Sequence, residues 1–302
     1  MSQETVKMDG ITVVIATLNR TEYLLRTLQD LVVQDFRYAF EILVVDQSDK
    51  YDKSVSNFCL EFPNIKYFHI SMFRGLPEAR NFGWQKSAFE CILYLDDDIQ
   101  CKSNLLDEHY RLISQSEVGI VAGGITEVNN KNIDCSTGVF LWTSAMPLAG
   151  FHKDGVFEVD HARGANFSSK KSILRQVCGV DEQLTKGAAL YEETDLCLRV
   201  KKAGYKIIFS SAAHVHHLAA KNGGCRVKEI DNYLFGLIRN TSLIISRHLK
   251  PIHRLTAHLH LLKLVFAYVF TYKQLSLLHT YTLARKEGTH AGRNRVRCTN
   301  YS

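Results

Sequence analysis

The chain has 302 residues, of which 46% are hydrophobic, and a formal net charge of +6. These values suit one large α/β domain with a substantial core, and they exclude a disordered or low-complexity protein. Residues 1–10 contain no apolar run of the signal-peptide kind, and the eight cysteines include no Cys-x-x-Cys pair. We therefore expect a cytoplasmic protein without a secretory leader, whose cysteines are buried or free thiols in a reducing compartment.

The positive charge is concentrated in the last quarter of the chain. Residues 226–302 contain thirteen Lys/Arg and three Asp/Glu, a net charge of +10, whereas residues 1–225 carry −4. An acidic body followed by a basic tail indicates a catalytic domain and a segment that meets an anionic surface. No nucleic-acid-binding motif accompanies the basic residues, so we expect no nucleic-acid partner.

Alternating strands and helices are predicted over the first 100 residues. The β-branched run 11–16 is typical of a buried parallel strand, and a helix with one apolar face follows it, with Thr21 as the predicted N-cap. A second apolar strand ends at Asp46, a weaker one covers 65–70, and Pro77 opens another helix. This order predicts a doubly wound, mostly parallel sheet that binds ligands at the carboxyl ends of its strands.

Three consecutive carboxylates, Asp96, Asp97 and Asp98, follow the apolar strand 91–95. Carboxylates this close repel one another unless a cation lies among them. Their hard oxygen atoms suit Mg²⁺ or Mn²⁺, which commonly also bind the phosphates of a substrate. The alternative is a solvated acidic turn. Neither Gly-x-Gly-x-x-Gly nor a Walker loop follows the first strand, which disfavours dinucleotide oxidoreductases and ATPases.

A second acidic cluster, Glu192, Glu193 and Asp195, lies just ahead of a helical pattern. Acidic residues in the first turn of a helix are stabilised by the helix dipole, by about 0.3–1 kcal/mol each. A structural role is therefore the alternative to catalysis. We favour the structural role for Asp195 and catalysis for Glu193.

Six segments of the chain form a recognisable series: VVIATLNR, VVDQSD, RGLPEARNFG, YLDDDI, RGANFSSKK and YEETDLCLRVKKAGYKI. They occur in the order and spacing of the inverting family 2 glycosyltransferases, which the chain resembles over about residues 10–240. The resemblance implies a GT-A-type fold, with a nucleotide-binding half over 1–100 and an acceptor-binding half over 101–225, followed by a basic helical tail over 226–302. It also implies a nucleotide-sugar donor, a glycan or lipid-linked acceptor, and Mn²⁺ or Mg²⁺ as cofactor.

The resemblance assigns donor-side roles residue by residue. Asp98 would bind the metal with Asp96, and Asp97 or Asp96 would reach the ribose. A histidine after the following strand would complete the metal site, with His217 preferred and His216 second. On a strand, His217 lies on the face opposite His216. The nucleotide-binding residues that the resemblance implies are Ala16, Thr17, Arg20, Asp46, Arg80, Asp96 and Asp97.

On the acceptor side, the resemblance makes Glu193 the catalytic base at a position where the family usually has Asp. Glu192 remains the alternative base. The resemblance also implies that a loop beside the transferred sugar is formed by Arg163, Gly164, Ala165 and Asn166. It makes Asp195 a further sugar or acceptor contact. The chain lacks the Gln-x-x-Arg-Trp motif of the family's processive synthases, so we expect transfer of one sugar or very few.

The tail contains an apolar, aromatic segment, 259–278, interrupted by Lys263 and Lys273. Its uninterrupted part, 264–272, is shorter than the roughly 20 residues of a spanning helix. We predict a helix that lies in the membrane interface at the cytoplasmic face, or alternatively one packed on the enzyme or in a dimer. Residues 293–302 are predicted to be disordered.

Two other functions are compatible with parts of the pattern. A sugar-1-phosphate nucleotidyltransferase has a similar sheet, but it should carry a Gly-rich phosphate loop after the first strand, where this chain has IATLNR. A degenerate, non-catalytic sugar-nucleotide-binding protein is disfavoured because Asp46, Asp98 and Glu193 are all present together.

Overall fold

A computed structural model describes residues 9–129, 131–220, 222–225 and 227–301. The prediction that no leader is present concerns residues that lie mostly outside this range. The strands are β1 (Gly10–Thr17), β2 (Ala39–Asp46), β3 (Ile65–His69), β4 (Cys91–Leu95), β5 (Ile99–Cys101), β6 (Val118–Glu127), β7 (Thr137–Leu141), β8 (Met146–Ala149), β9 (Val156–Glu158), β10 (Asn166–Lys170) and β11 (Lys206–His217). The helices are α1 (Thr21–Val32), α2 (Lys53–Leu60), α3 (Leu76–Lys86), α4 (Leu105–Ile113), α5 (Lys171–Gln176), α6 (Glu192–Lys202), α7 (Ile230–His248), α8 (Pro251–Tyr272) and α9 (Ser276–Arg293).

A mixed sheet forms the centre of the molecule, with strand order β3-β2-β1-β4-β10-β6-β11-β5. Strands β3, β2, β1 and β4 are parallel, as are β6 and β11, whereas β10 runs antiparallel to both of its neighbours. Strands β1 and β4 are apolar and almost fully buried because helices cover both faces of the parallel part. The predicted doubly wound, mostly parallel α/β sheet is confirmed.

The register brings the carboxyl ends of the parallel strands to one edge. Thr17 pairs with Asp46, and Ile15 pairs with Leu95, so the Asp96–Asp98 turn begins beside the end of β1. One detail of the prediction is wrong: α1 has Arg20 at its N-cap position, and the hydroxyl of Thr21 donates to Asp52 instead.

The tail forms helices, but not the single helix predicted over 259–278. The chain turns at Lys273, whose φ is +54°, and this turn separates α8 from α9. Helix α9 packs closely along α7, because Gly288 and Gly292 have no side chain and let its backbone approach the carbonyl oxygens of Arg239 and Leu243. Helix α8 packs less completely, with only Ala257, Leu261, Val265 and Val269 buried.

Helix α8 is long and apolar enough, by length and composition, to cross a membrane. It has 22 residues, its mean hydropathy is 1.2, and 22% of the apolar window is buried in the structure. The sequence-based expectation counted only the uninterrupted run 264–272. The helix also includes the apolar residues before Lys263, so its length differs from that expectation.

The predictions of disorder for 293–302 and of free thiols throughout are wrong for residues that the structure describes. Cys298 forms a disulfide with Cys178. The hydroxyl of Tyr301 donates to Glu182 (2.8 Å), and its ring packs 5.2 Å from that of Phe73. We call residues 294–301 the C-terminal strap. Its partners are more than 100 residues away in the chain, so local composition did not reveal them.

Candidate active site and metal centre

Two carboxylates and one imidazole meet at the carboxyl edge of the sheet. Asp96, Asp98 and His217 each offer one ligand atom, and these atoms lie within 4.8 Å of one another. Strand β11 pairs antiparallel with β5, which places His217 opposite Ile99 and therefore next to Asp98. His217 Nε2 lies 3.2 Å from Asp98 Oδ1 and 3.8 Å from Asp96 Oδ2. His214 and His216, by contrast, pack on each other, with ring centroids 4.8 Å apart.

The two oxygens of Asp98 have different surroundings. Oδ2 accepts a hydrogen bond from the Ala220 amide at 2.7 Å. Oδ1 is buried and accepts no well-aligned hydrogen bond within the described parts of the chain, although His217 Nε2 is near it. A buried oxygen without a donor is costly unless a cation binds it. This donor set fits Mg²⁺ or Mn²⁺, because carboxylate oxygens predominate in it.

The electrostatics of the cluster favour a positive charge in it. Burial alone would lower the pKa of His217, but the adjacent carboxylates of Asp98 and Glu127, together with the charge of Asp96, raise that pKa to about 10. Burial likewise opposes ionisation of Asp98, yet contacts with His217, the Ala220 amide and Arg20 keep the pKa of Asp98 below its usual range. The carboxylates thus form a strongly cation-attracting edge.

Glu127 belongs to this edge and was missed by the sequence reasoning. Its Oε2 lies 3.0 Å from His217 Nδ1, and its Oε1 lies 2.8 Å from Arg163 Nη2. Glu127 is the last residue of the buried strand β6. Asp46 and Asp96 were predicted as site residues because they lie at the carboxyl ends of buried strands, and Glu127 has the same kind of position.

Three predicted nucleotide residues bind one another. Both oxygens of Asp97 are engaged: Oδ2 accepts from the Thr17 hydroxyl at 2.7 Å and Oδ1 from Arg20 Nη1 at 2.8 Å. Asp97 is buried, whereas the side chain of Asp96 is 31% exposed. Of the two residues predicted to reach the ribose, Asp96 is therefore the accessible one. Asp97 instead connects the end of β1 and the start of α1, through Thr17 and Arg20, to the turn that carries Asp96 and Asp98.

Asp46 lies at the end of β2, next to the end of β1 at the carboxyl edge of the sheet. Its carboxylate is buried and accepts hydrogen bonds from the Tyr67 hydroxyl at 2.6 Å and from the Ser48 amide at 2.8 Å. Ala16, one residue before the end of β1, remains partly exposed beside it. The residues predicted for the base pocket thus lie along one side of the metal cluster.

Arg80 lies on the opposite side of the cluster and is almost entirely buried. It forms an ion pair with Glu192, donates to the Gly164 carbonyl at 2.8 Å, and lies 3.7 Å from Asp96 Oδ1. Its guanidinium also stacks over the Phe167 ring at 5.2 Å. Arg80 therefore connects the predicted sugar loop, helix α6 and the Asp-rich turn.

Glu193 differs from Glu192 in having no ion-pair partner among the described residues. Tyr191, the residue before α6, is in the left-handed conformation with φ +68°, which turns the chain sharply at this point. Burial raises the pKa of Glu193, the nearby charges of Arg80 and Arg163 oppose that rise, and Asp96 adds to it. Glu193 is thus a partly exposed carboxylate whose pKa is raised and responds to the charge of Asp96.

Two residues predicted to contact sugar or acceptor have their polar side-chain atoms bonded to other residues of the protein. Asp195 is fully buried, and its oxygens bind Arg199 (2.8 Å), Arg247 (2.9 Å) and His248 (2.8 Å). Asn166 is fully buried as well; its amide donates to the carbonyls of Gly124 and Ala213, and its oxygen faces His109. Neither side chain has polar atoms free for a substrate. Ala165 is also buried, whereas Arg163 and Gly164 are partly exposed.

Comparison with known proteins decides the family. The model of glycosyl transferase family 2 matches residues 12–174, which is more than half of the chain and includes most of β1, the Asp-rich turn and the Arg163–Asn166 loop. The chain belongs to glycosyl transferase family 2. It is also 27% identical over 220 residues to the probable glycosyltransferase YdaM of Bacillus subtilis, covering 68% of this chain and 50% of YdaM. The chain spans about half the length of the curated relatives it matches.

Solved structures confirm the GT-A-type fold. TarS from S. aureus in complex with UDP-GlcNAc superposes with a TM-score of 0.67 at 15% identity, covering 93% of this chain and 81% of that one. The mannosyltransferase PcManGT from Pyrobaculum calidifontis, in complex with GDP-Man and Mn²⁺, gives 0.56 at 15% identity, covering 95% and 88%. The family and the fold predicted from sequence are therefore confirmed.

Proposed function

We propose that this chain is an inverting glycosyltransferase that transfers one sugar from a nucleotide-sugar donor to an acceptor hydroxyl, with Mn²⁺ or Mg²⁺ held by Asp96, Asp98 and His217. The observation that carries the proposal is the convergence of this donor set, at the carboxyl edge of a GT-A-type sheet, with Glu193, a carboxylate that has no ion-pair partner in the described part of the chain. Two structural neighbours, solved with UDP-GlcNAc and with GDP-Man and Mn²⁺, support the choice of donor class.

The proposed chemistry is a single displacement. The acceptor oxygen bonds to the anomeric carbon while the bond from that carbon to the nucleoside diphosphate breaks, and the acceptor proton passes to the Glu193 carboxylate. A metal bound by Asp98 and its partners would neutralise charge on the departing diphosphate. Attack from the face opposite the leaving group inverts the anomeric configuration.

Glu193 is preferred to Glu192 as the base. The Glu192 carboxylate is neutralised by Arg80 in a buried ion pair, and an ion-paired carboxylate is a weaker base. Glu193 has no such partner among the described residues, and its pKa is raised by burial, which brings it nearer to the working pH of a general base.

The acceptor and the location complete the proposal. We propose a glycan or lipid-linked acceptor at the cytoplasmic face of a membrane, because the tail is strongly basic and carries the exposed apolar residues of α8. The absence of Gln-x-x-Arg-Trp from the sequence supports non-processive transfer.

A donor screen tests the proposal. The full chain is heated with UDP-, GDP-, CMP- and dTDP-sugars, each with and without Mn²⁺, and a ligand at 100 times its Kd should add about 2.7 kcal/mol of stability. The stabilising donor is then tested for transfer, and NMR of the product reports the anomeric configuration. Retention of configuration would refute the displacement. Formation of a sugar-1-phosphate together with a nucleoside triphosphate, when pyrophosphate is added, would favour the nucleotidyltransferase alternative.

The Asp98→Ala variant tests the metal assignment within the same screen. Donor stabilisation should lose its Mn²⁺ dependence. Because Asp98 is buried and accepts from the Ala220 amide, the variant should also melt at a lower temperature without ligand, so each protein is compared with itself with and without Mn²⁺. The matched control is Asp134→Ala, which removes a carboxylate that is 90% exposed and pairs with Lys153. An unchanged Mn²⁺ dependence in the Asp98 variant would refute the assignment.

A further inference from the structure

We infer that Glu127 is a positioning residue for the candidate metal site: it holds the imidazole of His217 so that Nε2 faces Asp96 and Asp98. The inference rests on the metal dependence in the proposed function, and it assigns a role to a residue outside the six segments of the family pattern. It concerns binding of the metal, so it can be tested without sugar transfer.

The fold fixes Glu127 and His217 beside each other. Strands β6 and β11 run parallel, and their last paired residues are Glu127 and His217. The Glu127 amide donates to Asn132 Oδ1 at 2.9 Å, which anchors the backbone where the strand ends. The Glu127 side chain is 9% exposed and that of His217 is 16% exposed, so water competes little for their contact. The carboxylate thus meets the imidazole through secondary structure and not through a mobile loop.

The contact decides which nitrogen is available to a metal. A neutral imidazole carries one N–H, and a carboxylate facing Nδ1 places that hydrogen on Nδ1. Because Glu127 Oε2 lies 3.0 Å from Nδ1, the one hydrogen that a metal-bound imidazole keeps would lie on Nδ1. Nε2, which lies 3.2 Å from Asp98 Oδ1, would give up its hydrogen when a cation binds between the two side chains. Carboxylates on the second nitrogen of metal-binding histidines commonly change metal affinity by 10–100-fold.

The other oxygen of Glu127 extends the arrangement to the predicted sugar loop. Oε1 lies 2.8 Å from Nη2 of Arg163, whose side chain is 30% exposed. The charge of Arg163 acts in turn on Glu193. Glu127 therefore joins the metal ligand to the loop beside the proposed base. Replacing Arg163 should disturb only the loop, whereas replacing Glu127 should disturb the loop and the metal ligand together.

The test is Mn²⁺ binding by the full chain, measured from the electron paramagnetic resonance signal of free Mn²⁺. Glu127→Ala should weaken binding 10–100-fold. Glu127→Gln keeps an oxygen that can accept from Nδ1, so its loss should be smaller. Arg163→Gln should bind within about twofold of the native chain, and so should the matched surface control Glu158→Gln, which removes an exposed carboxylate beside Lys201.

A double-mutant cycle separates positioning from general stability. In a His217→Ala background, adding Glu127→Ala should cause no further loss of Mn²⁺ affinity, because the residue acts through the imidazole. Histidine ¹⁵N shifts recorded with diamagnetic Mg²⁺ should report the Nδ1–H tautomer of His217 in the native chain and a mixture in Glu127→Ala. Additive losses, or an unchanged affinity in Glu127→Ala, overturn the inference, as does a native chain that binds neither ion.

These outcomes are distinct from failure of the proposed function. A native chain that binds Mn²⁺ through His217 but transfers no sugar would refute the proposed activity and leave the role of Glu127 intact. Conversely, a chain that transfers sugar with the same Mn²⁺ affinity in the native form and in Glu127→Ala would refute only the positioning role.

Discussion

Among single residues, Glu193 and Glu192 give the sharpest contrast. They are adjacent, yet only Glu192 is paired with Arg80. Glu193→Gln keeps the shape and removes the base, so transfer should fall by about 10²–10⁴-fold while donor binding is retained. Single-turnover rates and donor thermal shifts measure the two effects separately. Near-native turnover would move the base to Glu192, and loss of donor binding would indicate a structural role.

The raised pKa of Glu193 predicts the acid side of the pH profile. Burial makes this carboxyl hold its proton to a higher pH than an ordinary glutamic acid, whose pKa is about 4.3. The base form is therefore lost as the pH falls through the raised value, and kcat/KM should begin to fall at a pH above that of an unperturbed glutamate. A profile between pH 4.5 and 8 measures this limb. A limb at the ordinary glutamate pKa would contradict the prediction.

At the scale of elements, Asp195 joins α6, which carries Glu193, to α7 in the tail. Burial opposes its ionisation, but Arg199, His248 and Arg247 hold its pKa well below the usual range. A depressed pKa stabilises the fold above the unfolded pKa of about 3.9, and that stability is lost only as the pH falls through the folded value. At neutral pH the contribution is therefore fully present.

Asp195→Asn should destabilise the chain by about 3–5 kcal/mol at pH 7, because it leaves buried cations without their counter-charge. Urea unfolding measures the change. Asp134→Asn, at an exposed pair with Lys153, is the control and should unfold with the native midpoint. An equally small effect at Asp195 would show that α6 and α7 are held together by their apolar contacts alone.

The C-terminal strap is a second connection between elements. The Cys178–Cys298 bridge spans a sequence separation of 120 residues, and closing so long a loop stabilises by at most about 4–5 kcal/mol in the chain-entropy model. A reductant should lower the melting temperature of the native chain and leave that of Cys298→Ser unchanged. The control is Cys135→Ser, which removes a partly exposed free thiol. This variant should respond to the reductant like the native chain. Equal responses of all three would exclude the bridge.

At the scale of the whole molecule, the proposed membrane location depends on the tail. Helix α8 has no Asp or Glu and exposes a row of large apolar side chains, including Leu255 (63%), Leu259 (59%) and Phe270 (79%). We predict that the full chain sediments with vesicles containing anionic lipid and that salt weakens the binding, because each basic residue near the surface contributes about 1 kcal/mol through a screened field.

Substitutions at exposed positions of α8 test this membrane prediction better than a truncation does. Ending the chain near Lys250 would remove α9, which packs closely along α7, and would bare apolar surface. The double variant Leu255→Glu and Leu259→Glu acts only on exposed positions and should abolish sedimentation. Thr256→Glu, which adds one charge at a neighbouring exposed position, should cause a smaller loss. Native-like sedimentation of the double variant would place any membrane contact elsewhere.

Local patterns in the sequence were sufficient for the parallel strands β1 to β4, the Asp-rich turn and the family resemblance. Buried strands are short apolar runs followed by polar residues at their carboxyl ends, so β1, β2 and β4 and the positions of Asp46 and Asp96 could be read directly from the order of residues. The six segments needed only spacing along the chain. The choice of His217 followed from the resemblance, and the structure places it with Asp96 and Asp98.

Only the tertiary structure decided which polar groups are paired. Glu127 meets His217 across neighbouring strands 90 residues apart in the chain, Asp195 is enclosed by cations from α7, and Cys298 reaches Cys178. No local pattern encodes such pairs, because each partner is brought close only when the sheet and the tail have packed. The sequence favoured a structural role for Asp195 and catalysis for Glu193, but only packing shows that cations enclose Asp195 and that Glu193 has no ion-pair partner among the described residues.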